Sequence, residues 1–267
     1  MQKHAYMIIA HNEFDLLETL VRLLDDPRND LYIHIDAKVQ DFDFAHFHGL
    51  VQHANLQFTP RRLSVTWGHS SQVMTELLLL QTAVAGENPA QPYAYYHLIS
   101  GVDLPIKSND EIHAFFDQNE GKEFVHFSKN EPDPGFAPRI RYYHLFRKKR
   151  NGFTKVLAQI AFRLQVLLRV DRLKEQGLTV QKGTNWFSIT GALAKYIVSQ
   201  AERVEQLFAY SYCGDEVFVQ TMLVNSPFAA NLYMPNCNND QMACARLIDW
   251  ELSLIHISEP TRQEAIS

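Results

Sequence analysis

Along the chain, apolar runs alternate with stretches in which apolar residues recur every three or four positions. AYMIIA (5–10) predicts a short strand, and Glu13 to Leu24 has helical spacing. LYIHIDA (31–37) alternates with period two and ends as a strand on Asp36, and LQFTP (56–60) predicts a third strand. Helical spacing returns over SQVMTELLLLQTAV (71–84), followed by the strand YAYYHLIS (93–100), which ends at Gly101. NDEIHAFFDQ (109–118) predicts a helix with Asn109 as its N-cap, and KEFVHFS (122–128) a further strand. RIRYYHLFRKKRNG (139–152) reads as a loop and FTKVLAQIAFRLQVLLRV (153–170) as an amphipathic helix. KGTNWFSIT (182–190), a helix over 191–207, a helix opening at Asp215-Glu216 and a short strand near 231–234 complete the pattern.

Buried-looking strands separated by helices predict an α/β fold with a mainly parallel sheet. Such sheets bind ligands beyond the carboxyl ends of their strands. The candidate segments are therefore Ala10-His11-Asn12, Asp36-Ala37-Lys38, Thr66-Trp67-Gly68 and Ser100-Gly101-Val102-Asp103.

With 267 residues and 46% hydrophobic composition, the chain can bury a sizeable core as one ordinary domain. Three cysteines, with no CxxC or Cys/His metal spacing, give neither a disulfide framework nor a zinc site and point to a reducing compartment. The N-terminal apolar run is too short for a secretory signal, and no stretch reaches the length of a membrane span. The net charge of −5 hides an asymmetry. Residues 139–174 hold eleven Lys/Arg against the single acid Asp171, a charge of +10 that leaves −15 for the remainder. A basic insert in an acidic body predicts an anionic partner.

The fingerprints GxGxxG, GxxxxGK[ST] and GxSxG are all absent, which removes the usual dinucleotide, P-loop and hydrolase-elbow readings. DFD (41–43) has the form of a metal motif but lies in a polar connection, and no metal is expected there. His34 reads as a core residue. Asp215-Glu216 admits three readings: a metal site, a general base, or the acidic start of a helix, which the spacing alone favours.

Seven segments change the weighting: IIAHN (8–12), YIHIDAK (32–38), VTWGHSS (65–71), HLISGVDLPIKSNDEI (97–112), KGTNWFSIT (182–190), CGDEVFVQTMLVNSP (213–227) and ARLIDW (245–250). In this order they resemble the core-2/I-branching and peptide xylosyltransferase family, glycosyltransferase family 14, in its bacterial form. The resemblance implies a GT-A type three-layer α/β/α sandwich. It also implies inverting transfer of GlcNAc or xylose from a UDP-sugar without a metal cofactor.

Glu216 matches the family's general base, and Asp215 is then expected to cap the helix and orient the site. The resemblance places the nucleotide sugar at His11, Asp36, Val65, Thr66, Trp67 and Asp103. Trp186 is placed on the acceptor or sugar side, and Arg246 near the cations that neutralise the diphosphate. The expected partners are a UDP-sugar and a glycan or lipid-linked saccharide such as a surface-polysaccharide precursor, with no nucleic acid. The expected location is cytoplasmic, peripheral at the inner membrane face, with the basic helix on an anionic surface. The alternative for that helix is a basic face packed on the domain through Leu157, Ile160, Leu164 and Leu167. A non-catalytic sugar-binding or anionic-surface-binding module is the competing function. LSLIHISEPTR, within 252–267, resembles a translated sequencing adapter. The domain is therefore expected to span 1–251, truncated at its C-terminus, and the chain as written to be weakly active or inactive.

Overall fold

The computed structural model of the chain describes residues 2–128, 135–146, 152–174, 176–235 and 241–247. The elements run β1 (Lys3–Ala10), α1 (Phe14–Leu23), β2 (Asn29–Ile35), α2 (Phe44–His48), β3 (Asn55–Phe58), α3 (Ser71–Gly86), β4 (Tyr93–Ser100) and α4 (Asn109–Gln118). They continue with β5 (Phe124–Val125), α5 (Pro138–Arg141), α6 (Gly152–Leu167), β6 (Phe187–Thr190), α7 (Gly191–Ser199), α8 (Ala201–Phe208) and α9 (Asp215–Val224).

The six strands form one sheet in the order β3-β2-β1-β4-β6-β5. β3, β2, β1 and β4 are parallel neighbours, while β6 runs antiparallel to both β4 and β5. Successive strand residues face opposite sides of the sheet, and each side has its own core. Ala5 and Met7 of β1 pack with Leu77 and Leu80 of α3, Leu193 of α7, Phe208 of α8 and Phe218 of α9. Tyr6 and Ile8 pack with Leu17, Leu20 and Val21 of α1 and Phe47 of α2. Helices thus cover both faces, giving the mainly parallel sheet that the sequence pattern predicts within the three-layer α/β/α sandwich that the family resemblance implies. From β1 the chain moves outward through β2 to β3 and then returns to place β4 on the other side of β1. That reversal opens a crevice at the carboxyl ends of β1 and β4, the usual ligand position in open α/β sheets.

Several local expectations change. Ser108, not Asn109, caps α4: its hydroxyl accepts from the Glu111 N–H while the Glu111 carboxylate takes the Ser108 N–H, a reciprocal capping box. The helix expected over 191–207 is two helices that meet at Gln200. The strand at 122–128 shrinks to Phe124–Val125, because Ser128 donates its N–H to the Lys182 carbonyl instead of extending the ladder. The strand near 231–234 reduces to one bridge between Leu232 and Glu123. Within the loop expected at 139–152, Pro138–Arg141 forms a helical turn, and 147–151 lie outside the described residues. Asp43 of DFD caps α2 by accepting from the His46 N–H, and His34 is buried with its Nε2 accepting from the Leu63 N–H.

Candidate active site at the start of α9

The turn into α9 is tightly constrained. Cys213 adopts a left-handed conformation with φ of 45°, uncommon for a residue with a side chain. Its carbonyl accepts from Arg139 Nη1 at 3.2 Å, and its N–H donates to the Gly68 carbonyl at 3.1 Å. The capping expectation for Asp215 is not met. Gly214 occupies the N-cap position without any side-chain cap, and Asp215 is the first helical residue. Its buried carboxylate accepts from Gln72 Nε2 on α3 at 2.7 Å, which fixes α9 against α3. The other Asp215 oxygen and Oε2 of the buried Glu76, also on α3, have no hydrogen-bond partner among the described residues. Burial, then the Glu216 charge, raises Asp215 to about 6. Burial, reinforced by Asp215, holds Glu76 well above the usual carboxylate range. Desolvation disfavours charge, so the helix start stands on a carboxyl pair that resists double ionisation.

Glu216, next along the helix, points the other way. Its side chain is 38% exposed, and Oε2 lies 2.7 Å from Arg139 Nη1 and 3.4 Å from Lys182 Nζ. Both cations also lie over the Phe136 ring, at 5.1 and 4.9 Å from its centroid. The aromatic face favours the cations electrostatically, so Phe136, Arg139, Lys182 and Glu216 hold one another. Backbone contacts set the spacing. The Gly183 N–H donates to the Glu216 carbonyl at 2.8 Å, and Gln220 Nε2, one turn along α9, donates to the Thr184 carbonyl at 2.6 Å. A side chain at Gly183 would overlap the His126 carbonyl, so this approach requires glycine.

A continuous path joins this corner to the end of β2. Asp36 is buried; its carboxylate accepts the Lys38 N–H at 2.8 Å and the Val65 N–H at 3.3 Å. The Thr66 N–H bonds Ser71 Oγ at 2.9 Å, and the Gly68 N–H bonds Gln72 Oε1, the same glutamine that holds Asp215. Gly68 has φ of +68°, and this turn leaves Trp67 64% exposed with its ring edge-on to Tyr212. Asp36, Val65, Thr66, Trp67, Asp215 and Glu216 therefore share one connected rim.

His11, Asp103 and Arg246 form a second group at the β1 and β4 ends. His11 is exposed just past β1. Asp103 Oδ2 accepts the Ser100 N–H at 2.9 Å, closing the turn, and burial raises its carboxyl. Arg246 donates to the carbonyls of Leu98 at 3.0 Å, Phe187 at 3.3 Å, and Cys244 and Ala245 at 3.1 Å. Its fork ties β4 to β6. Trp186 is half-buried and packs against the main core. Among the described residues, no group of three or more His, Cys, Asp or Glu is placed to hold a metal ion.

The sequence profile described as "Branch: Core-2/I-Branching enzyme" matches residues 4–265. The chain belongs to the Core-2/I-Branching enzyme family. Mouse Xylosyltransferase 2 is 25% identical to it over 260 residues, covering 92% of this chain and 28% of the relative. Human Xylosyltransferase 2 is 24% identical with the same coverage, and human Xylosyltransferase 1 is 22% identical, covering 92% of this chain and 25% of the relative. The chain spans about a quarter of the length of the curated relatives it matches. The family match runs on through residues 252–265, which the sequence reading sets aside and which lie outside the described residues.

In this Branch-family chain the α/β/α layers form a GT-A-like fold consistent with the family. Four residues at the α9 corner escape sequence reasoning: Gln72, Glu76, Arg139 and Lys182. Lys182 opens KGTNWFSIT, and Arg139 enters the sequence argument only as one charge among eleven. Arg139 and Glu216 are 77 positions apart, beyond the reach of any local pattern.

Proposed function

We propose that the chain is a UDP-sugar-dependent inverting glycosyltransferase with Glu216 as its general base. The observation that carries this is the position of Glu216. It is a partly exposed carboxylate in the first turn of a buried helix, on the rim joined to the carboxyl end of β2, held in a fixed orientation. An acceptor hydroxyl gives its proton to Glu216 as its oxygen bonds the anomeric carbon, and the bond from that carbon to the diphosphate breaks on the opposite side. UDP departs with the electron pair. Arg139 and Lys182 keep the carboxylate aimed until an acceptor arrives.

Asp36, with Val65, Thr66 and Trp67, would hold the nucleoside, and His11 and Asp103 would flank the donor at the crevice. Trp186 would form a wall on the sugar side. The diphosphate needs basic partners if no metal serves it. Arg246 sits at the correct strand ends but would have to exchange a carbonyl for a phosphate oxygen. Membership of the Branch family and the xylosyltransferase relatives support sugar transfer and leave GlcNAc and xylose both open as donor sugars.

The ion pairs of Glu216 favour one competing reading, a sugar-binding protein without catalysis, because Arg139 and Lys182 both occupy the carboxylate oxygen Oε2 that an approaching acceptor hydroxyl would need. One experiment separates the two. Thermal shifts with UDP, UDP-GlcNAc, UDP-xylose and GDP, with and without EDTA, are paired with transfer assays on the parent and on Glu216→Gln. Stabilisation by UDP species that survives EDTA, with transfer lost only in the variant, supports the transferase. Donor binding with no transfer in either protein supports the binding reading, and no shift with any nucleotide overturns both.

A further inference from the structure

Among the described α-helices, α6 alone has no buried residue. Its contacts with the body lie on one side. Gln165 exchanges hydrogen bonds with both backbone groups of Tyr143, at 2.7 and 2.9 Å, and Phe162 packs near Tyr142 and His144, with ring centroids 5.1 and 6.2 Å away. The opposite side is apolar. Phe153, Val156, Ile160, Leu164 and Leu167 follow helical spacing and line one face. All five are exposed, Leu167 by 77%, and Leu168 and Phe146 add further exposed apolar surface. The packing on the domain considered for Ile160, Leu164 and Leu167 does not occur, and Leu157 is only half-buried.

An exposed apolar stripe of this length marks a contact surface, and charge selects its occupant. From Gly152 to Val170 the sequence holds Lys155, Arg163 and Arg169 and no acid. A second copy docking stripe to stripe would bring two basic sets together. Docking on the acidic body of a second copy would leave the stripe against polar surface. An anionic lipid surface offers both an apolar layer and negative charge, and it repels the acidic remainder so that only this side approaches.

We propose that α6 lies in the plane of an anionic lipid surface, with the Phe153-Val156-Ile160-Leu164-Leu167 stripe at the boundary of headgroups and acyl chains. Arg163 flanks the stripe, and its long stem lets the guanidinium reach the headgroups. The inference stands apart from the glycosyl-transfer reading, because its readout is lipid binding.

The test is co-sedimentation of the full chain with phosphatidylcholine vesicles, either pure or containing ~30 mol% phosphatidylglycerol. Each basic side chain near an anionic surface contributes about fivefold in partitioning, so binding to the anionic vesicles is expected to exceed neutral binding by about tenfold or more and to fall with salt. Ile160→Ser/Leu164→Ser/Leu167→Ser should lose most of the binding, and Lys155→Glu/Arg163→Glu the anionic preference. Both should keep the parent thermal midpoint, since the substituted side chains are surface groups. Equal partition to the two vesicles, no binding, or binding unaffected by the triple substitution overturns the proposal. A dimer in sedimentation velocity that the triple substitution abolishes would assign the face to a second copy instead.

Discussion

Helices α9 and α6 are both rich in Val, Leu and Phe, yet they have opposite fates. Of the ten residues of α9, eight are buried, and the one carboxylate that leaves the core, Glu216, is met by two cations. None of the sixteen residues of α6 is buried, although its apolar content invites a core position. The difference lies in what the neighbouring chain offers. α9 is enclosed by α3 and by the segment 181–184, each hydrogen-bonded to its polar groups, and the turn before it is pinned by Arg139 at the Cys213 carbonyl. α6 is held mainly through Gln165 and Phe162. Apolar composition says that a helix needs cover. It does not say whether the domain supplies it.

The comparison sharpens most at the exposed end of α9. Glu216→Gln should lower transfer by about 10²–10⁴-fold, the usual range for a lost general base, with the thermal midpoint nearly unchanged. A large drop in the midpoint would make Glu216 a structural residue. In the interior, Phe218→Ala removes a fully buried ring that packs edge-on to Phe208. It should cost ~3–5 kcal/mol in denaturant unfolding, and a cost typical of a surface site would break the contrast with α6.

The buried carboxyls give a pH-dependent version of the same contrast. Burial raises Glu76, so the folded state keeps a proton that the unfolded chain releases above its ordinary value of 4.5. Stability from this group is complete below that value and declines as pH rises toward the folded pKa. Relative to Glu76→Gln, the parent should lose up to ~1.4 kcal/mol per pH unit above that point, measured as the difference between their unfolding curves from pH 5 to 8. A constant difference would mean that Glu76 is ionised in the fold. The smallest effect belongs to α6: Leu164→Ala should change stability by no more than about 0.5 kcal/mol, as surface substitutions do. A core-sized loss would show that α6 is covered.

The layers, the parallel core of the sheet and nearly every long helix are legible in the sequence because strand and helix periods differ and the inner strands β1, β2 and β4 are buried on both faces. The misreadings are local competitions. Ser108-Asn109-Asp110-Glu111 carries the Ser-x-x-Glu capping-box spacing one residue before the cap expected at Asn109. Asp215 looks like a cap, yet its carboxylate goes to Gln72, 143 positions away, once α3 and α9 pack. Arg139 and Lys182 are invisible as site residues for the same reason: tertiary packing alone brings them to Glu216. The basic insert also reads as one block, whereas the structure divides it. Arg139 joins the site, Arg172 lies over the rings of Tyr143 and Tyr210, and Lys155 and Arg163 ride on α6.

The reversed direction of β6 has an architectural consequence. In a uniformly parallel sheet, chain that enters a strand lies at the end remote from the ligand crevice, and only chain leaving a strand can furnish the rim. Phe187, the first residue of β6, pairs with Leu98 near the end of β4. The approach to β6, residues 181–186, is therefore delivered to the rim on its way in, bringing Lys182, Gly183 and Trp186 with it. Turning a single strand around recruits a stretch of chain to the crevice that would otherwise serve only as a connector, and it does so without lengthening any crossover.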